Sequence, residues 1–260
     1  MNGIASIYTK TLYENFQPLH ATWPPDSPVE LGDFGFVDAS RQFHKMGKVK
    51  ADRGLTFTVS KQPGKPFQMS FASQGKTQVK LNAKGEASAG APATVRASLE
   101  VTFSAENAVF FNAAECVSSI VENKAALGDE IMKLYDAGKW DYRWAVITDL
   151  IEVGATTIAI SGANSASIVF GATSDVPQID LASASVGLGM TTQTNVGFQL
   201  ATKTGLTPLF GLCKLQGRFL FWEDFRPLSL QGPDTLHETL APFRPLSAKN
   251  NADIVFSQVH

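Results

Sequence analysis

Thr94-Val95-Arg96-Ala97-Ser98-Leu99-Glu100-Val101-Thr102-Phe103-Ser104 decides the fold class of this 260-residue chain. Val95, Ala97, Leu99, Val101 and Phe103 alternate with Arg96, Ser98, Glu100 and Thr102. Successive side chains of a strand point to opposite faces, so a period of two reads as a strand with one apolar and one polar face. The same alternation recurs upstream. Phe57 and Val59 alternate with Thr and Ser, Phe67, Met69 and Phe71 with Gln68 and Ser70, and Val79 and Leu81 with Lys80 and Asn82. Pro63-Gly64, Gly75-Lys76 and the Gly- and Ala-rich stretch 83–93 separate these runs and read as hairpin turns or flexible tips.

Downstream, a second β-rich block extends from Trp144 to Leu215. Ala145 to Val153 is an apolar, partly β-branched run of the kind that makes a buried strand. Ile158/Ile160, Ile168/Phe170, Ile179/Leu181, Val186/Leu188/Met190 and Val196/Phe198/Leu200 then alternate with smaller or polar residues. Between the two blocks the spacing predicts a helix over 117–137. Ser118 or Ser119 would cap it, Ile120, Leu127, Ile131, Leu134 and Tyr135 would share a face, and Gly138 would stop it. Residues 1–30 are mixed and end in Trp23-Pro24-Pro25-Asp26-Ser27-Pro28; Val29 to Val37 reads as a short strand interrupted by Gly32 and Gly35. The expected fold is α+β, a twisted, mostly antiparallel sheet with the 117–137 helix packed on it.

Composition narrows the function. Hydrophobic residues make up 44% and charged residues 18%, ordinary for a globular protein. The net charge of −2 implies no general affinity for nucleic acid, so only local basic clusters would meet an anionic partner. The cysteines, Cys116 and Cys213, are far apart and outside any Cys-x-x-Cys, which argues against a disulfide framework or a thiolate zinc site. His20, His44, His237 and His260 are scattered without metal-ligand spacing. No nucleophile elbow, zinc-protease or phosphate-loop motif occurs, and Gly187-Leu188-Gly189 lacks the third glycine of a dinucleotide fingerprint. The expectation is a non-enzymatic protein without cofactor or metal. Met1 to Phe16 lacks a signal-peptide pattern and no run of 18 apolar residues exists, so a soluble state in a reducing compartment is expected.

Leu134-Tyr135-Asp136-Ala137-Gly138-Lys139-Trp140 followed by Trp144-Ala145-Val146-Ile147-Thr148-Asp149-Leu150-Ile151-Glu152-Val153 resembles a stretch of the gasdermin family in which a helix leads into a val-val-thr-glu-val strand. Val29-Glu30-Leu31-Gly32-Asp33 is similar to the leu-gly-asp stretch ahead of the family's first hairpins. Phe221-Trp222-Glu223-Asp224-Phe225 resembles its acidic-aromatic exit. The likeness spans roughly residues 29–228. Two features depart from the family. These 260 residues hold no counterpart of the large C-terminal inhibitory domain of animal members, and no cysteine among them precedes Cys116 to match the lipidated cysteine of bacterial members.

The resemblance implies a gasdermin-like pore-forming domain over 1–228. The change in composition after Leu228 and the apolar Leu236, Leu240, Phe243 and Ile254-Val255-Phe256 suggest a C-terminal tail, 229–260, that packs on this domain as an inhibitory restraint. The resemblance implies a chain cytoplasmic when inactive and at a membrane when active, forming homo-oligomers on anionic lipids and causing regulated cell death or defence. An activating protease or a related partner chain would control it. Val95, Ala97, Leu99, Val101 and Phe103 would insert from one hairpin region, and Val186, Leu188, Val196 and Phe198 from the other. Strands that cross a bilayer need about 9–11 alternating residues, and Thr94–Ser104 meets that length. Lys45, Lys48, Lys50 and Arg53 form the densest basic cluster and would dock on anionic headgroups, at about 1 kcal/mol per basic residue. The alternative is a β-rich binding or scaffolding module without membrane activity, since the same alternation serves any half-buried sheet.

Overall fold

The computed structural model describes residues 3–61, 65–82, 97–172, 188–202, 205–217 and 254–259. The first helix, α1, is Ile4–Phe16, followed by the short strand β1 (His20–Ala21), then β2 (Asp33–Val37), β3 (Phe43–Lys48) and the single turn α2 (Val49–Arg53). Next come β4 (Val59–Lys61), β5 (Phe67–Ala72), β6 (Thr77–Asn82), β7 (Ser98–Phe103) and the long β8 (Val109–Val121). Helix α3 is Lys124–Asp136. The second block holds β9 (Ala145–Val153), β10 (Ala155–Ser161), β11 (Ala166–Ala172), β12 (Leu188–Thr194), β13 (Val196–Thr202) and β14 (Leu206–Gly217), and the last element is β15 (Ile254–Gln258).

Every strand pairing among the described residues is antiparallel, which meets the α+β expectation. A large sheet runs β1-β14-β9-β8-β10-β13, with β15 on β14, β2 on β9 and β3 on β2, and β4 and β5 on β8; a smaller sheet runs β12-β11-β7-β6. Neither sheet closes into a barrel among the described residues. The outer edge of β14 carries two covers. β1 pairs at Leu209 and Phe210, and β15 pairs from Cys213 to Gly217.

Four apolar clusters hold these layers, and each fully buried Leu, Val or Phe contributes roughly 1.5–3 kcal/mol relative to exposure. Helix α1 lies on one face of the large sheet, where Tyr8 and Leu12 pack with Val109, Phe111, Ile158 and Ile160. The small sheet covers the opposite face, where Leu99, Val101, Phe103, Ile168 and Phe170 meet Phe110 and Ala159. Helix α3 buries Leu127 and Ile131 beside Phe34, Trp140 and Val146. In the first turn of α3, Lys124 Nζ is 2.7 Å from Asp149 of β9.

The helix begins later than its spacing predicts. Residues 117–121 continue β8, because β-branched Val117, Ile120 and Val121 favour extended backbone and pair with β9 and β4. Ser118 and Ser119 are therefore strand residues; Asn123 occupies the N-cap position, and its Oδ1 accepts from the Thr58 amide at 2.8 Å. Helix α1 falls in the stretch that composition leaves unassigned. Its buried face includes Ser6 and Thr9, which break the apolar period. Thr9 Oγ1 donates to the Ser40 carbonyl at 2.5 Å, tying the helix to the β2–β3 turn.

Candidate functional site

The two hairpin regions expected to act together are brought into one sheet. Strands β6 and β7 come from the first region, β11 and β12 from the second, and β7 pairs with β11 to join them. Register sorts their side chains into rows. Leu81, Leu99, Phe170 and Met190 form one row across the four strands, and Val79, Val101 and Ile168 form the next. The intervening rows hold Lys80, Glu100, Val169 and Thr192, and Gln78, Thr102, Ser167 and Thr194. On β12 the second apolar row continues as Gln193, opposite Ile168. Gln193 and β11 Val169 aside, one face of this sheet is apolar and the other polar in these rows, as a sheet needs if lipid lies on one side and water on the other.

Ala97, Leu99, Val101 and Phe103 are all buried against the large sheet, as is Leu188, while Val196 and Phe198 are half-buried. Val95 and Val186 lie outside the described residues, as do Ile179 and Leu181. Phe198 belongs to the opposite cluster, 5.0 Å from the Trp23 ring on the α1 side. At the edge strands the apolar face is less covered: Val79 is 45% and Met190 48% exposed.

The basic run folds as β3 followed by α2, and each of its four members has a partner. Lys45 Nζ sits 2.8 Å from the fully buried Asp33 carboxylate. Lys48 Nζ sits 2.7 Å from Glu30 on the surface; that hydrogen bond holds the Glu30 carboxyl below its ordinary range and raises the Lys48 ammonium. The Lys50 ammonium lies 4.5 Å from the centre of the Phe57 ring. The Arg53 guanidinium lies 5.3 Å from the Phe34 ring centre and 5.2 Å from that of Trp144. Phe34, Trp140 and Trp144 pack on one another in tilted and edge-on contacts with ring centres 5.1–5.3 Å apart. Beside this basic element an open cleft of about 500 Å³ is lined by Leu31, Lys48, Lys50, Phe57, Lys61 and Glu152. Exposed Phe36 and Met46 lie on β2 and β3.

Cys116 lies inside β8 and not at a helix N-terminus, and burial pushes its thiol up to about 11; burial also raises Cys213. Neither has the thiolate character of a nucleophile. Among the described residues no His, Cys, Asp and Glu side chains cluster as metal ligands, and no helix is long and apolar enough to cross a membrane.

Residues 218–253 lie outside the described residues, including the expected boundary at 228/229. Strand β15 docks on β14, and Phe256 packs over Gly128 of α3. A Cβ on Gly128 would stand 2.4 Å from the Phe256 Cβ, so glycine is what lets the strand approach the helix.

No family model matches the chain, and no curated protein does. Among solved structures, the chain is similar to a bacterial gasdermin from Bradyrhizobium tropiciagri, with 13% identity over 81% of this chain and 86% of that one and a TM-score of 0.34. It is also similar to the Gasdermin A3 membrane pore solved by cryo-EM, with 11% identity over 85% of this chain and 93% of that one and a TM-score of 0.26.

Proposed function

We propose that the chain is a membrane pore-forming protein of the gasdermin type, which assembles on anionic membranes through the hairpins β6–β7 and β11–β12 to permeabilise them in regulated cell death or defence. The observation that carries this reading is the four-stranded amphipathic sheet, whose apolar face is covered by folding onto the large sheet. Isolated hairpins cannot enter hydrocarbon with unpaired backbone, so insertion requires many copies side by side. Strands β6 and β12 form the two edges of the small sheet and offer opposite flanks for that pairing.

Lys45, Lys48, Lys50 and Arg53 would meet anionic headgroups by exchanging their internal partners for phosphate. The unit that inserts is 1–228, and 229–260 restrains it through the β15–β14 pairing and the Phe256–Gly128 contact. A protease acting in the tail, or a related partner chain displacing β15, would release it.

The test is dye release from vesicles of mixed phosphatidylcholine and phosphatidylserine, with and without residues 229–260, together with a search for ring-shaped particles by negative stain. Release that rises on removing the tail supports the proposal; a trimmed chain that stays monomeric and releases nothing refutes it. A soluble β-rich binding module is the second reading. It is favoured by the internal partner that each member of the basic run already has.

A further inference from the structure

We infer that the β14 edge from Leu212 to Gly217 is a strand-acceptor groove for a second copy of this chain, so that two copies exchange their β15 strands reciprocally. The exchange does not depend on pore formation; its consequence for control rests on the proposed restraint by the tail.

Among the described residues, the contacts that hold β15 belong to β14, β9 and α3. Its backbone pairs antiparallel with β14 from Cys213–Gln258 to Gly217–Ile254, and the Val259 amide donates to the Leu212 carbonyl at 2.8 Å. Side chains then hold it from both faces of the sheet, because residues of opposite parity point opposite ways. Phe256 joins Leu127, Ile131 and Leu215 on the α3 face, in the space that Gly128 leaves open. Buried Val259 joins Ile147, Phe210 and Leu212 on the other face. Between them the Ser257 hydroxyl donates to Gln216 Oε1 at 2.7 Å. An added strand takes affinity from main-chain bonds and selectivity from side-chain seats. The groove therefore reads an aromatic residue, a hydroxyl and an apolar residue at 256, 257 and 259.

That pattern identifies the occupant. Every copy of the chain carries it, as Phe256-Ser257-Gln258-Val259, in the register the groove requires. The connection does not confine the strand to its own copy. Gly217 and Ile254 are directly paired, which sets their Cα atoms about 5 Å apart. Residues 218–253 join them, a length that reaches at most about 120 Å. The advantage of a strand's own groove is the local concentration that its tether imposes, and this falls roughly as the −3/2 power of the connecting length. A tether this long favours the home groove about twentyfold less than a five-residue hairpin loop would.

Reciprocal exchange leaves both grooves filled and every contact of β15 unchanged, and it closes with two-fold symmetry. The balance between single and paired copies then follows protein concentration. In such a pair each restraint is supplied by the partner. Cutting one chain between 218 and 253 loosens the strand seated on the other copy and leaves the cut chain's own groove filled.

Single cysteines test this. Lys214 and Ser257 are directly opposed, and opposed residues of an antiparallel pair stand within the roughly 4.4–6.8 Å that a disulfide bridges. K214C and S257C on separate chains are joined only by a strand seated in trans, while native Cys116 and Cys213 are buried. K214C/S257C on one chain checks the pairing itself, closing within a monomer when the strand is home. Mixed in equal amounts, held overnight over about a hundredfold range of concentration and then oxidised, the two single variants are expected to give a linked dimer whose fraction climbs with concentration. S257C mixed with Q78C, exposed on β6, measures chance collision. G128V in the K214C chain fills the Phe256 seat and is expected to cut the linkage about tenfold.

A double variant that closes within its own chain while the mixed singles link no more than the Q78C pair overturns the inference. Linkage that ignores G128V overturns it as well, and so does a double variant that links in neither way, since β15 then does not occupy this groove. Vesicle dye release takes no part in this readout, so a chain that makes no pore defeats the pore reading and leaves the exchange to the cross-link alone.

Discussion

Acid is expected to weaken the clamp formed by α1, β1 and β14 through one residue, His20. The ring is fully buried, and among the described residues neither nitrogen has a hydrogen-bond partner. Its neighbours are aromatic: Tyr13 at 4.8 Å and Phe210 stacked at 5.9 Å. Among the described residues the charge that acts on it is cationic, Arg41, which sits 3.8 Å over the Tyr13 ring. Burial, and then Arg41, lower the pKa of His20 from 6.5 to about 4. The folded state thus prefers neutral imidazole. The stability this confers is present in full above the unfolded value of 6.5 and is lost as pH falls from there toward about 4. Between pH 7.5 and 4.5 the loss from this group alone is about 2.5 kcal/mol, at 1.36 kcal/mol per unit. Urea unfolding of wild type and H20F at the two pH values measures it, since carboxylates titrate in both chains and cancel in the difference. H20F should lose about 2.5 kcal/mol less than wild type. Acid sensitivity equal in the two within about 0.5 kcal/mol would refute the assignment of a neutral, unpartnered His20.

Three further outcomes follow from particular contacts. V79K changes a residue that is 45% exposed in the apolar row of the small sheet, so the fold should tolerate it. A lysine on a lipid face costs about 2–4 kcal/mol, so vesicle dye release should fall at least about tenfold while the melting curve stays in place; unaltered release sinks the lipid-facing assignment. G128V pushes its side chain into Phe256 and should detach β15, lowering stability by about 1–3 kcal/mol and opening 254–258 to proteolysis; a tail as resistant as wild type would contradict it. Cys116 and Cys213, buried and with raised thiol pKa values, should stay unlabelled by a thiol reagent until denaturant is added.

The alternation of Leu99, Val101 and Phe103 made the strands legible because each has one face on a core and one on polar surroundings. The β9 run was legible for the opposite reason, being apolar on both faces at Ala145, Val146, Ile147, Leu150, Ile151 and Val153. Helix α1 was hidden by buried Ser6 and Thr9, which interrupt its apolar face; the Thr9 hydroxyl meets the Ala5 carbonyl within the helix and the Ser40 carbonyl only through the fold. The start of α3 was misplaced because serine caps are a local signal, whereas Val117, Ile120 and Val121 answer to strands distant in sequence. Asp33, Glu30, Phe57 and Trp144 were not readable as partners of the basic run, since each meets its cation only through tertiary contact.

Phe256 shares its cluster with Phe34 and Trp144, the two rings that flank Arg53. Strand β15 and the Arg53 guanidinium thus lean on one apolar cluster. Under the proposed function, prising the strand away would strip packing from the same rings that hold the guanidinium, so a single foundation serves both the restraint and the cationic arm.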